Sequence, residues 1–455
     1  MKKLAALLFL FTTPLFAQDT AAIDKAVNEI LSKTGAPSAS IAVVKDGKIV
    51  YTHAYGNARI DPPMVATPDM RYSIGSISKQ FTAAAVLMLA EEGKLSLDDK
   101  LVRWFPDLTR ANEVTVRELL SMTSGYQDFW PQDYVMPRML EPVTAQEILN
   151  DWAKKPLDFD PGTKWQYSNT NYVIAGMLVE KVAGMPLMQL LQQRVFGPLQ
   201  MTTVFNTDLA PLDANQPMRY LRYAVGPPRE APKEGRGWMF AAGELAMTAH
   251  DLALWDISMI DQTILKPASY KEMENEVKLA NGVGTRYALG VNVGINDGRR
   301  FVTHGGEVSG FTAANTVYPD DRAAVVVQVN LDATGASGQI ASRIGTLLFA
   351  TTDPATPQAT AQMQKIFEGL QKGQLDRSQF TSNANAYFSD QAIKDFASSL
   401  GPLGKPQEFS QASQSLRGGM TLRRYRIKFA QKTLNLTTFI MPDGKVEQYQ
   451  IAATE

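Results

Sequence analysis

The sequence contains no cysteine in 455 residues, which removes disulfides, thiol nucleophiles and cysteine-ligated metal sites together. Histidine is almost as scarce, with His53, His250 and His304 as the whole complement. They stand far apart, without the H-x-x-H or H-E-x-x-H spacing by which one helix face presents two metal ligands. A serine–histidine–aspartate triad has little to draw on, because no G-x-S-x-G nucleophile elbow is present. An excess of one charge is missing too. Against 46 Asp and Glu stand 45 Lys and Arg, and a formal net charge of −1 offers no electrostatic case for nucleic acid or an anionic membrane. Blocks of like charge, internal repeats and heptads are absent, and no apolar run is long enough to span a bilayer.

What is present is enough apolar material for a large core: 45% of residues are hydrophobic and 20% charged. The first residues read as a secretory signal. Met1-Lys-Lys3 gives a positive start, Leu4 to Phe11 a short apolar core, and Ala17 a small residue before Gln18. Residues 1–17 are therefore expected to be removed, leaving a periplasmic or secreted protein with no membrane span. An uncleaved anchor is the alternative, because Leu15 is large for its position before the cut. Export without cysteine fits a core that needs no covalent staples.

The pattern then runs as α+β. A helix is expected over 20–34, stopped by Gly35, and a hairpin follows, with strands at Ala39–Val44 and Lys48–His53 around Asp46-Gly47. The literal Lys33-Thr-Gly35 belongs to the helix end and is a decoy. Val114–Leu120 reads as a short capped helix, and the stretch to about Met139 as an irregular aromatic loop that either walls a pocket or anchors itself in the core. Helices are expected over Tyr172–Val182, Leu187–Val195 and Asp251–Ile260, with residues 205–237 as loop. Strands follow at Leu289–Val293, Phe301–His304, Ala313–Tyr318 and Ala323–Leu331, with a turn at Asp297-Gly298 and a closing helix over Gly338–Leu348. Together these make an antiparallel sheet flanked by helices from both ends of a catalytic domain, 18–350. Residues 351–362 read as a linker and 363–455 as a small α+β accessory domain, with a helix over Gln362–Lys372 and strands at Thr421–Phe429, Thr433–Ile440 and Val446–Ile451.

Candidate chemistry begins at Ser76 and Lys79, at the junction between an extended segment and a helix whose apolar positions are Phe81, Ala84, Ala85, Leu87, Met88 and Leu89. Residues three apart share a helix face, so the serine hydroxyl and lysine amine can meet. A desolvated lysine can be neutral and take the hydroxyl proton, and the helix N-terminus supplies N–H groups to an oxyanion. Alone, the pair also reads as a helix cap and a surface lysine. Tyr167-Ser168-Asn169 forms a second box. A phenol beside an ammonium is stabilised as phenolate, and Asn169 offers both a donor and an acceptor, although Ser and Asn before a helix are common caps. His304-Gly305-Gly306-Glu307 forms a third. Glycines at a strand end admit a substrate backbone as an added strand, and the Glu307 N–H could then supply a second oxyanion donor beside that of Ser76. A glycine-rich bulge is its plain structural reading.

The three boxes in this order resemble the serine β-lactamase and penicillin-binding-protein superfamily, on the class C-like branch with DD-peptidases, D-aminopeptidases and esterases. Leu119–Gly125, where many members have His at the place of Met122, and Ala242–Thr248 resemble it too, and the likeness runs from about Ile23 to Phe349. The resemblance implies an antiparallel sheet with an all-helical subdomain and a serine hydrolase needing no metal or cofactor. Ser76 would form an acyl-enzyme, Lys79 and Tyr167 would handle its proton, and Tyr167 would be the base in deacylation. Asn169, His304, Gly305, Gly306 and Glu307 would bind substrate. True class C enzymes have lysine where His304 stands, which favours an ester or a D-amino-acid-containing peptide as substrate over a β-lactam. A class C-like β-lactamase and a non-catalytic peptide-binding protein on the same fold are the alternatives.

Overall fold

A computed structural model describes residues 15–296, 298–349 and 356–453, with the side chains of 15–19 left aside. It divides into two compact units, Met1–Phe349 and Ala350–Glu455. The expected signal, residues 1–17, lies outside the described residues except for its last three. Asp297 of the expected turn and 351–355 of the expected linker lie outside them as well.

The first unit is built on a seven-stranded sheet. Its strands are β1 (Ser38–Lys45), β2 (Lys48–Arg59), β3 (Met64–Val65), β4 (Asn292–Asn296), β5 (Arg299–Val308), β6 (Phe311–Tyr318) and β7 (Ala323–Val329). Their order across the sheet is β3-β2-β1-β7-β6-β5-β4, and every pairing is antiparallel. The central strand β7 (Ala-Ala-Val-Val-Val-Gln-Val) is buried at all seven positions, because both faces are covered. Val325, Val327 and Val329 face Ile23, Val27 and Leu31 of α1 (Leu15–Thr34), together with Ile340 and Ile344 of the closing helix Ala336–Leu348. Ala324 and Val326 face the other core, which holds α2 (Ser78–Glu91) and α3 (Asn169–Ala183). The side-chain period of two splits β7 between these two cores.

Helix α2 is the axis of the larger core. Every residue from Ser78 to Leu89 is buried, so it has no solvent face, and Gly93 closes the turn beyond it at φ +70°. A helix buried all round must satisfy its polar side chains internally. Thr82 donates to the Ala241 carbonyl at 2.8 Å, and Gln80 donates to Asn315 at 2.9 Å while accepting from the Trp255 indole at 2.8 Å.

Several expected boundaries move. The strand expected at Leu289–Val293 starts only at Asn292, since Leu289 is a core side chain and Gly290 turns the chain at φ +80°. The expected Phe301–His304 strand continues to Val308, so Gly305 and Gly306 lie within a regular strand, in register opposite Ala314 and Ala313, with no bulge. The helix expected at Leu187–Val195 runs as α-helix over Leu187–Leu191 and then widens to a π-turn over Gln192–Phe196.

The second unit packs helices Thr356–Gln371, Ser382–Tyr387 and Asp390–Leu400 on one face of a four-stranded antiparallel sheet. Its first helix starts inside the stretch read as linker. Its first strand, Glu408–Arg417, escaped the sequence reading: it is a sheet edge rich in Ser and Gln, with no residue fully buried, and carries no apolar alternation.

Candidate active site

Ser76 sits in a single 3-10 turn, Gly75–Ile77, immediately before α2, and Lys79 is the second residue of that helix. The turn is pressed against β5. Gly75 has φ +49°, and a Cβ on it would lie 2.8 Å from the Glu307 backbone nitrogen. A Cβ on Gly306 would lie 1.9 Å from the Ile74 carbonyl oxygen. Two glycines therefore let the Ser76 turn and β5 touch, which brings the backbone around Ser76 and Glu307 together. On its other side β5 pairs with β4 only as far as Thr303, so from His304 onward no strand among the described residues pairs with that edge.

Tyr167 arrives from a loop tied down at both neighbours. The short helix Val116–Leu120 starts in a capping box, with Thr115 accepting from the Glu118 N–H and Glu118 accepting from that of Thr115. Two residues beyond its end lies Met122, which is buried and left-handed at φ +63°. The Met122 carbonyl accepts from the Gln166 N–H at 3.0 Å, and its sulfur accepts from the Ser168 N–H at 3.4 Å, so the two bonds flank Tyr167. Asn169 then opens α3. Ser168, expected as a possible cap, makes no capping bond and its hydroxyl has no partner.

These elements converge on one hydroxyl. Lys79 Nζ lies 2.9 Å from Ser76 Oγ, 2.9 Å from Asn169 Oδ1 and 2.8 Å from the Ala242 carbonyl oxygen. The Tyr167 O–H donates to Ser76 Oγ at 2.7 Å. The rings of Tyr167 and Tyr172, 5.0 and 5.6 Å from Nζ, help enclose the amine, and Lys79 is 0% exposed. Burial pulls its pKa down to about 7, partly opposed by the negative charge of Asp128. Burial also pushes the Tyr167 phenol well above its ordinary value, partly offset by its bond to Ser76. The expected phenolate beside an ammonium is thus disfavoured at both partners, and the lysine is the group poised to accept a proton near neutral pH.

The donor geometry agrees. A neutral lysine has two N–H bonds and one lone pair. Two of its three partners, the Asn169 and Ala242 oxygens, can only accept, so they take the two N–H bonds. The lone pair is left facing the Ser76 hydroxyl.

His304 is 4% exposed and has both ring nitrogens engaged. Nδ1 faces the Gly305 carbonyl, an acceptor only, so Nδ1 carries the proton. Nε2 then accepts from the Tyr287 hydroxyl at 3.0 Å. Burial first, and the nearby Lys79 charge second, lower its pKa to about 4, so it is neutral at pH 7. Three carboxylates gather where β5 ends. Glu307 accepts from the Ala333 N–H at 2.8 Å, Glu234 from that of Ser309 at 3.0 Å and Asp332 from that of Gly310 at 3.2 Å. Burial, with the Gly310 bond opposing and the Glu307 and Glu234 charges adding, pushes Asp332 up to about 6.

Sequence reading missed Asp128 and the Ala242 carbonyl. Asp128 lay in the aromatic loop without a motif to mark it, and a backbone oxygen carries no sequence signal at all. Among the described residues no cluster of His, Cys, Asp and Glu has metal-binding geometry, and no single helix is long and apolar enough to cross a membrane.

Comparison with known proteins places the chain in a family. A family model described as beta-lactamase matches residues 23–347. The chain belongs to the β-lactamase family. Among its relatives, a D-aminopeptidase of Brucella anthropi is 29% identical over 334 residues, covering 72% of this chain and 62% of that protein. A D-aminopeptidase of Brucella canis is 28% identical over 349 residues, covering 75% and 65%. The chain thus spans less than two thirds of the length of these relatives. A D-stereospecific amidohydrolase from Streptomyces superposes with a TM-score of 0.63 at 26% identity, covering 73% of this chain and 99% of that one. An octameric penicillin-binding-protein homologue from Pyrococcus abyssi shares the fold over 95% of this chain and 99% of its own, with a TM-score of 0.65 at 21% identity. This β-lactamase family member therefore has fold neighbours both for its larger unit and for nearly the full chain.

Proposed function

We propose that this protein is an exported serine hydrolase that forms an acyl-enzyme on Ser76 and cleaves the amide or peptide bond of a D-aminoacyl substrate. The carrying observation is the placement of Ser76 Oγ between a buried Lys79 amine at 2.9 Å and the Tyr167 hydroxyl at 2.7 Å. As Ser76 Oγ bonds to the substrate carbonyl carbon, its proton passes to the Lys79 lone pair. The backbone N–H groups of Ser76 and Glu307 hold the oxyanion. Collapse breaks the carbon–nitrogen bond. The departing amine takes a proton from Tyr167, which is supplied again from Lys79. Water then attacks the acyl carbon and gives its proton to Lys79, and as the ester C–O bond breaks Ser76 Oγ takes that proton back and regains its hydroxyl.

Two observations support the substrate class. A neutral His304 with both nitrogens occupied offers no cation to a substrate carboxylate, which weighs against β-lactams and against peptides read by a free C-terminus. The carboxylates of Glu234, Glu307 and Asp332 at the end of β5 suit a substrate carrying an ammonium. The relatives named D-aminopeptidase and the amidohydrolase named D-stereospecific point the same way. The unpaired edge of β5 gives an extended substrate its backbone partner.

Intact-mass spectrometry tests the reading. The protein is expected to release ammonia from D-amino-acid amides faster than from their L-isomers, and an activated ester is expected to add one acyl group that the Ser76→Ala variant does not take up. Rapid turnover of benzylpenicillin through a short-lived adduct would replace this reading with the β-lactamase one. Failure of every activated ester to acylate Ser76 would leave a non-catalytic binding protein.

A further inference from the structure

Asp128 touches neither Ser76 nor Lys79, yet it holds the residue that orients the lysine. Its Oδ1 accepts from the Asn169 backbone N–H at 2.9 Å and from the Trp130 N–H at 3.2 Å. Its Oδ2 accepts from the Asn169 side-chain Nδ2 at 3.3 Å. The carboxylate thus caps the 15-residue helix α3 from a separate loop, where Ser168 does not, and the helix N-terminus favours its charge.

We infer that Asp128 is a positioning residue, which fixes the Asn169 amide with its oxygen towards Lys79 and so aims the lysine lone pair at Ser76. The reasoning is one of donors and acceptors. An ionised carboxylate only accepts, so it admits the amide in a single orientation, NH2 towards Asp128 and oxygen towards Lys79. A flipped amide would turn its NH2 on Lys79. The lysine lone pair would then be drawn to that N–H, and an N–H of the lysine would face Ser76 in its place. Asp128 also acts through its charge, since it opposes the effect of burial on Lys79. The other titratable groups facing Lys79 are the Tyr167 and Tyr172 phenols and the imidazole of His304, all neutral at pH 7.

This inference rests on Ser76–Lys79 chemistry, and the test separates the two. Asp128→Asn keeps the shape but presents one acceptor and one donor to three N–H groups, so one contact becomes N–H against N–H. The expected result is a fall in kcat/KM of about 10²-fold on the best D-aminoacyl amide. The rising limb of the pH profile is expected to move to lower pH, because Lys79 loses its negative neighbour. Asp128→Ala, with the same fold by circular dichroism, should move the limb in the same direction. A role confined to folding would lower the yield of active enzyme and leave the limb where it was. A limb that stays at the wild-type pH, or moves without loss of rate, overturns the inference. Wild-type protein with no acylation of Ser76 refutes the proposed function itself.

Discussion

At the scale of single residues, the site works by removing water from one amine. Lys79 has no exposed surface, the Asn169 and Ala242 carbonyl oxygens each accept from its amine, and its pKa is drawn down to about 7. A base is effective only in its unprotonated form. The rate constant kcat/KM is therefore expected to rise with pH through about 7 and then level off. Lys79→Ala is expected to abolish that limb and to cost about 10²–10⁴-fold in rate. Steady-state kinetics from pH 5 to 9 on an amide substrate check both points. A wild-type profile that is flat across this range would remove Lys79 from the role of base.

At the scale of elements, the site depends on how closely a turn and a strand approach each other. Gly75 and Gly306 are where they touch, and Gly306 has no room for a methyl group beside the Ile74 carbonyl. Gly306→Ala is expected to push β5 away from the Ser76 turn. Overpacking of this kind costs about 1–3 kcal/mol of stability, and the displaced Glu307 N–H should lower acylation rate further than the stability loss explains. Denaturant midpoints measured alongside acylation rates separate these two effects. Equal acylation rates in variant and wild type would show that the Glu307 backbone takes no part in holding the oxyanion.

At the scale of the whole molecule, the cores follow the division into two units. The clusters beside the seven-stranded sheet contain residues only from before position 350, and the cluster around Phe367, Tyr425 and Tyr449 only from after it. Each unit therefore buries its own apolar surface. Calorimetry is expected to show two transitions, and a chain ending at Phe349 should keep both the larger-unit transition and the acylation of Ser76. A single transition, lost on truncation, would mean that the units fold as one.

Ser76, Lys79, Tyr167 and Asn169 were legible in the sequence because each lies in a short local pattern, and their order along the chain marks the family. Most strands of the main sheet were legible because apolar runs between turn residues leave a local trace, although β5 hid its length behind two glycines, β4 began later than its apolar run, and the two-residue β3 left no run to read. The exposed edge strand Glu408–Arg417 left no such trace. Charge states were out of reach, since they depend on desolvation, and desolvation comes from residues distant in the chain. Tyr172 and Ala242 enclose the amine of Lys79 from elements 93 and 163 positions further on. The same holds for the donor pattern around Asn169. The sequence by itself determined which groups are available for the proposed acyl transfer. Only the tertiary structure decided which of them carries the proton, because burial and hydrogen-bond partners are set by contacts between elements far apart in the chain.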